Sequence, residues 1–314
     1  MGKKCLINVE GGLGKNVMLT ALMPILAQHY EEIYVISPYS DVFKACSYVT
    51  EAFEPGPQCA TLYQELVLDE DCDILWKEPY SNSRFIKKTC HLFNAWLEEF
   101  GIDDTVDYES LVPVIDRIRE EFPNIAQLAD QKAAELGKFI MVQFCGGQSP
   151  LGPQQDQNGN TIPYNDRQEY IKRNYYQGQN LINELKAKYP DATIVHYALP
   201  NEPSYDGAVK LNVPYLTYRL LAERAFKVVC TDSSLQHIST GVCNDVTIIW
   251  GETRPEHFGY ECNKNIAAKR VLNSQPYFKP MGTSPSIVKM PSVDEVMSLV
   301  TRDDVEVTEP AQEE

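Results

Sequence analysis

The sequence predicts an α/β protein made of two doubly wound halves that face each other across a cleft, and three observations predict it. A short apolar run, a glycine turn and an apolar helix open the chain. The same order begins again at residue 138. The strands of the second half read as continuous apolar runs, the pattern of strands buried on both faces by crossover helices. With 314 residues the chain has room for two domains, each able to bury its own core.

Taken in order, KKCLINV (3–9) is the first strand, followed by EGGLGKN and by VMLTALMPILAQHY (17–30). In that last segment Val17, Leu19, Leu22, Met23, Ile25 and Leu26 keep helical spacing. IYVISP (33–38) follows at once, giving a βαβ unit with parallel strands and a right-handed crossover. Strands are expected at ATLYQEL (60–66) and DILWKE (73–78), then a helix over 85–101 ending at Gly101. A further helix should run from Val114 to Leu136, with Gly137 as its stop. The domain boundary is placed there, giving an N-terminal domain of 1–136, a second domain of 137–280, and a C-terminal helix with an acidic tail over 281–314.

In the second half KFIMVQFC (138–145) is a buried parallel strand and GGQSP a second glycine turn. Residues 151–169 are polar and rich in Gly, Pro, Asn and Gln, the composition of a long loop of the kind that forms lids. Helix 177–190, strand 193–198, helix 217–225, strand 227–232, helix 234–242 and strand 246–251 complete the series. A capping box, Ser292-Val293-Asp294-Glu295, begins a last helix through Val300.

Composition narrows the function. The chain carries 28 Lys and Arg against 44 Asp and Glu, a formal charge of −16, so it lacks the basic surplus that drives non-specific nucleic-acid binding. A local basic groove is still compatible with that balance. Hydrophobic residues at 43 % and aromatics at 10 % exclude a mainly disordered chain. No apolar run approaches the ~20 residues that span a bilayer, and the N-terminus enters a glycine turn too early for a signal peptide. A cytoplasmic location is expected. Nine cysteines are scattered singly, with no CxxC and no His pair at metal spacing, so they are read as reduced and mostly buried, without a metal site.

The first chemical candidate is the turn Gly11-Gly12-Leu13-Gly14-Lys15-Asn16, where backbone NH groups at a helix start suit an anion. It is not a Walker loop, because Val9 occupies the first glycine position and Asn16 replaces Ser or Thr. It is not GxGxxG either, since Val17 stands at the third glycine, and with no such motif and acidic partner a Rossmann oxidoreductase is disfavoured. Two readings stay open: a tight turn with glycines for geometry, or a loop that faces substrate.

The stretch CTDSSLQHISTGVCNDVTIIWGETRPEHFGY (230–260) says more. A strand ends at Asp232, and Ser233 and Ser234 open a helix whose free NH groups suit a diphosphate. The alternative is that Asp232 or Ser233 merely caps that helix. His237 shares a helix face with Ser233 and Ser234. The next strand ends in Trp250-Gly251, followed by Glu252-Thr253-Arg254-Pro255-Glu256-His257.

This pattern resembles the donor-binding signature of glycosyltransferase family 9, the ADP-heptose:lipopolysaccharide heptosyltransferases. That signature is D-[TS]-[GS]-L-x-H, then an apolar strand and G-x-T-x-P-x-x-x-G, read here as Asp232 to His237 and Gly251 to Gly259. Gly11, Gly12 and Gly14 are similar to the family's acceptor-side loop. Gln143 to Gly147, with Gln148 beyond, is similar to its strand and glycine turn, and Lys172-Arg173 to its basic pair beside the donor phosphates. The resemblance covers most of the chain, most closely over 138–260.

It implies the glycosyltransferase B fold of two Rossmann-like domains, a nucleoside-diphosphate sugar as donor, ADP-linked by the resemblance, and no cofactor or obligatory metal. Carried over by position, Ser233, Ser234 and Leu235 offer NH groups to the diphosphate, and Asp232 faces the donor's sugar or ribose. Lys172 or Arg173 neutralises the leaving group, as a metal-free departure requires. His237 orients the loop, while Gly251, Thr253, Glu256 and His257 line the nucleotide or sugar pocket.

One departure matters. Family members carry Asp directly after the glycine loop, placed to deprotonate the acceptor, whereas this chain has Gly14-Lys15-Asn16-Val17. An amide is no base at neutral pH, and Lys serves only with a strongly depressed pKa. Three readings follow: another carboxylate, Glu10 or Asp41, does the work; the acceptor reacts without a strong base; or the protein binds a sugar nucleotide without transferring it. Lys15 is also a candidate to neutralise a phosphate. The acceptors considered are a carbohydrate, lipopolysaccharide, or a modified base in DNA, because the Gly-Lys-Asn variant looks like divergent phage and environmental members. In the DNA case Arg84, Lys87, Lys88 and Arg167 either track the phosphate backbone or are solvated surface charges.

Overall fold

The computed structural model describes residues 3–57, 60–102, 110–146, 173–198, 202, 204–270 and 288–304. Four strands, β1 (Lys4–Asn8), β2 (Glu32–Ile36), β3 (Glu51–Phe53) and β4 (Cys72–Leu75), form one sheet in the order β3-β2-β1-β4. Six more form a second sheet. They are β5 (Phe139–Gln143), β6 (Thr193–His196), β7 (Ala208–Lys210), β8 (Lys227–Thr231), β9 (Val246–Trp250) and β10 (Lys264–Ala267), in the order β10-β9-β8-β5-β6-β7. Every pairing in both sheets is parallel. Each sheet is thus doubly wound, and its strand order reverses once: between β1 and β4 in the first, between β5 and β8 in the second. The two-half α/β architecture expected from the sequence is present.

β5, β8 and β9 are buried along their whole length, which is why their sequences lack alternation. The largest core cluster joins the two halves, since Phe93 and Trp96 belong to it together with Ile238 and Tyr260. Helix Pro123–Leu136, counted with the first domain above, packs against helix Tyr215–Ala222 of the second sheet.

Several elements differ from expectation. Residues 60–66 are not a strand; they belong to a helix, Ala60–Leu68. Its Leu62, Tyr63 and Leu66 fall on one helical face and pack on Leu6 and Ile36 of the sheet. A parallel β3-to-β4 connection needs a crossover there, so topology overrides the short apolar run. The helix expected over 85–101 is two, Ser83–Ile86 and Leu92–Glu99, separated at Lys88 in the left-handed region (φ 59°). Asn82 and His91 each cap one of them through a side chain.

The helix expected over 114–136 is likewise split, into Ile118–Glu121 and Pro123–Leu136, because Pro123 begins a new helix. Ahead of it Val114 NH donates to Thr20 Oγ1, 3.1 Å away, instead of to a helical carbonyl. The first helix begins at Leu13, earlier than expected, and changes to a tighter turn at Thr20–Leu22, where Pro24 cannot donate to Thr20. Gly137 ends its helix at φ +65°, as expected. The capping box at Ser292 and Glu295 is formed, opening helix Val293–Val300. Of the eight described cysteines, all free, six are buried. No helix among the described residues is long and apolar enough to cross a membrane. The polar segment 151–169 lies outside the described residues.

Candidate functional site

The site grows from the carboxyl ends of the strands. Beyond β5 the chain passes through Gly146, where a side chain would collide with the Asp232 carbonyl oxygen at the exit of β8. Only glycine lets the two exits pass so closely. Gln143, the last residue of β5, accepts a hydrogen bond from Leu235 NH at 3.2 Å and so fixes the start of helix Ser234–Ser239. That NH is taken, whereas among the described residues no hydrogen bond from the Ser233 or Ser234 NH is found. Ser233 makes no side-chain cap, against the capping alternative for that residue.

Asp232 is 3 % exposed, and its Oδ2 lies 3.4 Å from Arg173 Nε, with no hydrogen bond to that oxygen among the described residues. Arg173 also lies over the Phe258 ring, 6.0 Å from its centroid. His237 is buried, and its Nδ1 is 2.9 Å from the Tyr260 hydroxyl. Burial pushes its pKa down to about 4, so the ring is neutral near pH 7.

From the other half, helix Leu13–Leu19 packs directly against helix Ser234–Ser239. A methyl carbon on Gly14 would lie 2.9 Å from His237 Cδ2, so the glycine is required by the opposite half rather than by its own backbone angles. Asn16 is fully buried; its Nδ2 donates to Gly12 O at 3.0 Å and its Oδ1 accepts from Ser37 Oγ at 2.6 Å. It ties the glycine loop to the end of β2. Lys15 Nζ donates to Glu78 Oε2 at 2.6 Å and sits 5.2 Å from the Tyr80 ring centroid.

The two halves enclose a cavity of about 470 Å³. Gly12, Gly14, Lys15, Tyr39 and Tyr80 line it from the first half; Arg173, Tyr197, Asp232, Ser233, Ser234 and His237 line it from the second. A second cavity, about 210 Å³, opens at the ends of β1 and β4, and Lys15 lines both.

The other sequence candidates fall in several places. Glu10 is exposed and lines the second cavity. Asp41 lies on the surface helix Ser40–Lys44, paired with Lys44 at 3.2 Å. Gly251, Thr253, Glu256 and His257 are not among the lining residues. His257 instead meets the Cys90 carbonyl at 3.2 Å, joining the halves, while Glu256 is exposed. Arg84 pairs with Glu98 at 3.6 Å. Lys172, Gly147, Gln148 and Arg167 lie outside the described residues.

Sequence reasoning missed Tyr39, Tyr80, Tyr197, Tyr215, Phe258 and, above all, Glu78. Tyr39, Tyr197 and Glu78 come just after β2, β6 and β4, and position beyond a parallel strand's carboxyl end was a signal available for them. Among the described residues no group of three His, Cys, Asp or Glu side chains is arranged to hold a metal ion.

No family model and no curated protein matches the chain in sequence. Solved structures do match. A family 9 glycosyl transferase from Veillonella parvula superposes with a TM-score of 0.59 at 13 % identity, covering 87 % of this chain and 89 % of that one. The Escherichia coli ADP-heptose lipopolysaccharide heptosyltransferase II gives 0.53 at 13 % identity, over 96 % and 100 %. The E. coli heptosyltransferase WaaC, solved with ADP-2-deoxy-2-fluoro heptose, gives 0.50 at 10 % identity, over 85 % and 93 %. Two doubly wound sheets joined face to face, with their strand ends converging on one cavity, give this chain the glycosyltransferase B fold of the family 9 glycosyltransferases.

Proposed function

We propose that the protein is a glycosyltransferase that moves a sugar from a nucleoside-diphosphate donor, ADP-linked in our reading, to a hydroxyl acceptor. The observation that carries this is the shared cavity, where one half brings a cation, a buried carboxylate and free NH groups, and the other a glycine loop and lysine. Arg173 with the Ser233 and Ser234 NH groups holds the diphosphate. Asp232, a pure acceptor when ionised, takes hydroxyl hydrogen bonds from the sugar or ribose. The aromatic rings of Tyr39, Tyr197 and Tyr215 offer apolar faces for the base and the sugar ring.

In the reaction the acceptor oxygen attacks the anomeric carbon, and the bond from that carbon to the phosphate oxygen breaks with its electron pair leaving on the diphosphate. Arg173 and the NH groups stabilise that growing charge, the place where fixed donors contribute most. His237, neutral and bonded to Tyr260, keeps the serine turn seated against Gly14. That one structure solved with an ADP-sugar analogue shares the fold supports an ADP-linked donor.

Calorimetric titration with ADP, UDP, GDP and ADP-heptose tests the reading, on the wild type and on Arg173→Ala and Asp232→Ala. Selective binding that is lost in both variants is expected; no binding of any of these ligands at millimolar concentration would overturn it.

A further inference from the structure

The sequence leaves the acceptor's proton without an obvious destination, and the second cavity supplies one. It lies where the strand order of the first sheet reverses, at the ends of β1 and β4, the position at which doubly wound sheets bind ligands. Asn8 and Val9 leave β1 there, and Trp76, Lys77 and Glu78 follow β4. Trp76 is 56 % exposed, leaving an indole face free to solvent beside polar side chains.

We infer that Glu78 is the general base of the transfer, receiving the proton of an acceptor hydroxyl seated in the second cavity, with Lys15 as the positioning residue that holds it. This rests on the transferase reading above. The Glu78 side chain is 46 % exposed, whereas that of Lys15 is 8 % exposed, so an anchored cation fixes a carboxylate that still faces open space. Oε2 accepts from Lys15 Nζ at 2.6 Å and Oε1 from Tyr80 NH at 3.2 Å. Each ionised carboxylate oxygen can accept two hydrogen bonds, so sites remain for the acceptor hydroxyl.

Position connects this carboxylate to the donor. Lys15 forms part of the wall of both cavities. Tyr80, two residues beyond Glu78, lines the larger one, and its phenol, pushed up to about 12 chiefly by burial, feels Arg173, Asp232 and Glu78 together. An acceptor in the second cavity therefore directs its hydroxyl past Lys15 towards the diphosphate. The oxygen–hydrogen bond breaks, the proton passes to Glu78, the new glycosidic bond forms, and the nucleoside diphosphate leaves with the electron pair of the old one. The lysine that stands after the glycine loop thus imports a carboxylate from beyond β4, 63 residues away.

Transfer to water tests this without knowledge of the acceptor, because water in the second cavity needs the same base. Release of nucleoside diphosphate is followed from ADP-heptose, ADP-glucose, UDP-glucose and GDP-mannose, for the wild type, Glu78→Gln and Glu78→Asp. Glutamine keeps the shape and the oxygen that receives Tyr80 NH but turns an NH2 towards Lys15 Nζ, so Glu78→Asp, which keeps the charge, separates loss of the base from loss of that ion pair. The expected result is a fall in kcat of about 10²- to 10⁴-fold for Glu78→Gln, unchanged donor KM and ADP affinity, and partial recovery in Glu78→Asp. A Glu78→Gln rate within threefold of wild type would overturn the inference while leaving the transferase reading intact. If the wild type neither binds nor hydrolyses any of the four donors, the transferase reading itself falls and takes this inference with it.

Discussion

The two places where strand order reverses make an instructive pair. Each carries a cation beside a carboxylate, Arg173 with Asp232 in the second sheet and Lys15 with Glu78 in the first. Burial separates them. In the second sheet the carboxylate is almost wholly buried and the backbone around it is crowded enough to require Gly146. In the first the cation is the buried partner, the carboxylate reaches solvent, and among the described residues nothing beyond its chain neighbours lies within 4 Å of where a Gly12 side chain would start. In the proposed reaction the site of the second sheet holds a charged ligand and that of the first receives a group that must give up a proton.

The largest test of that contrast is acidification. Buried histidines lie on the second half and on the seam, where His237 meets Gly14 and His91 Nε2 meets the Gly259 carbonyl at 3.0 Å. His91 Nδ1 accepts from Phe93 NH, so Nε2 carries the hydrogen and donates it. Burial, the largest cause for both, lowers His91 to about 3 and His237 to about 4. Their folded values lie below the unfolded one, so the unfolded chain binds protons first as pH falls below about 6.5. Stability should be intact above that pH and fall towards pH 4, by up to about 1.4 kcal/mol per pH unit for each. Hydrogen exchange at pH 7 and pH 5 would show the seam opening first; equal loss of protection everywhere would break the contrast.

Glycine replacement sharpens it next. Gly146→Ala should cost about 1–3 kcal/mol or more in urea denaturation and abolish ADP binding, because the clash is with backbone. Gly12→Ala should stay within about 0.5 kcal/mol, having nothing to strike. The cations come last. Arg173→Ala removes the charge proposed to hold the diphosphate and should weaken ADP by roughly 1.5–3 kcal/mol in calorimetry. Lys15→Met, whose charge is already committed to Glu78, should change ADP affinity less than about threefold, which is about 0.7 kcal/mol. Equal losses in the two variants would mean that both cations face the diphosphate.

What the sequence by itself determined is local. Continuous apolar runs gave the buried strands of the second sheet, the glycine turns and Ser233 marked strand-to-helix exits, and Ser292 with Glu295 marked a capping box. Each of these signals is a periodicity or a neighbour rule acting over a few residues. Tertiary structure decided the rest. It made a helix of 60–66, because a parallel crossover was needed there. It made Asn16 a brace for the loop, through Ser37. It gave Gly14 its reason in His237, and Lys15 its partner in Glu78. Those pairings join residues far apart in the chain, which only the packing of one half against the other, or of one strand beside its neighbour, brings within bonding distance.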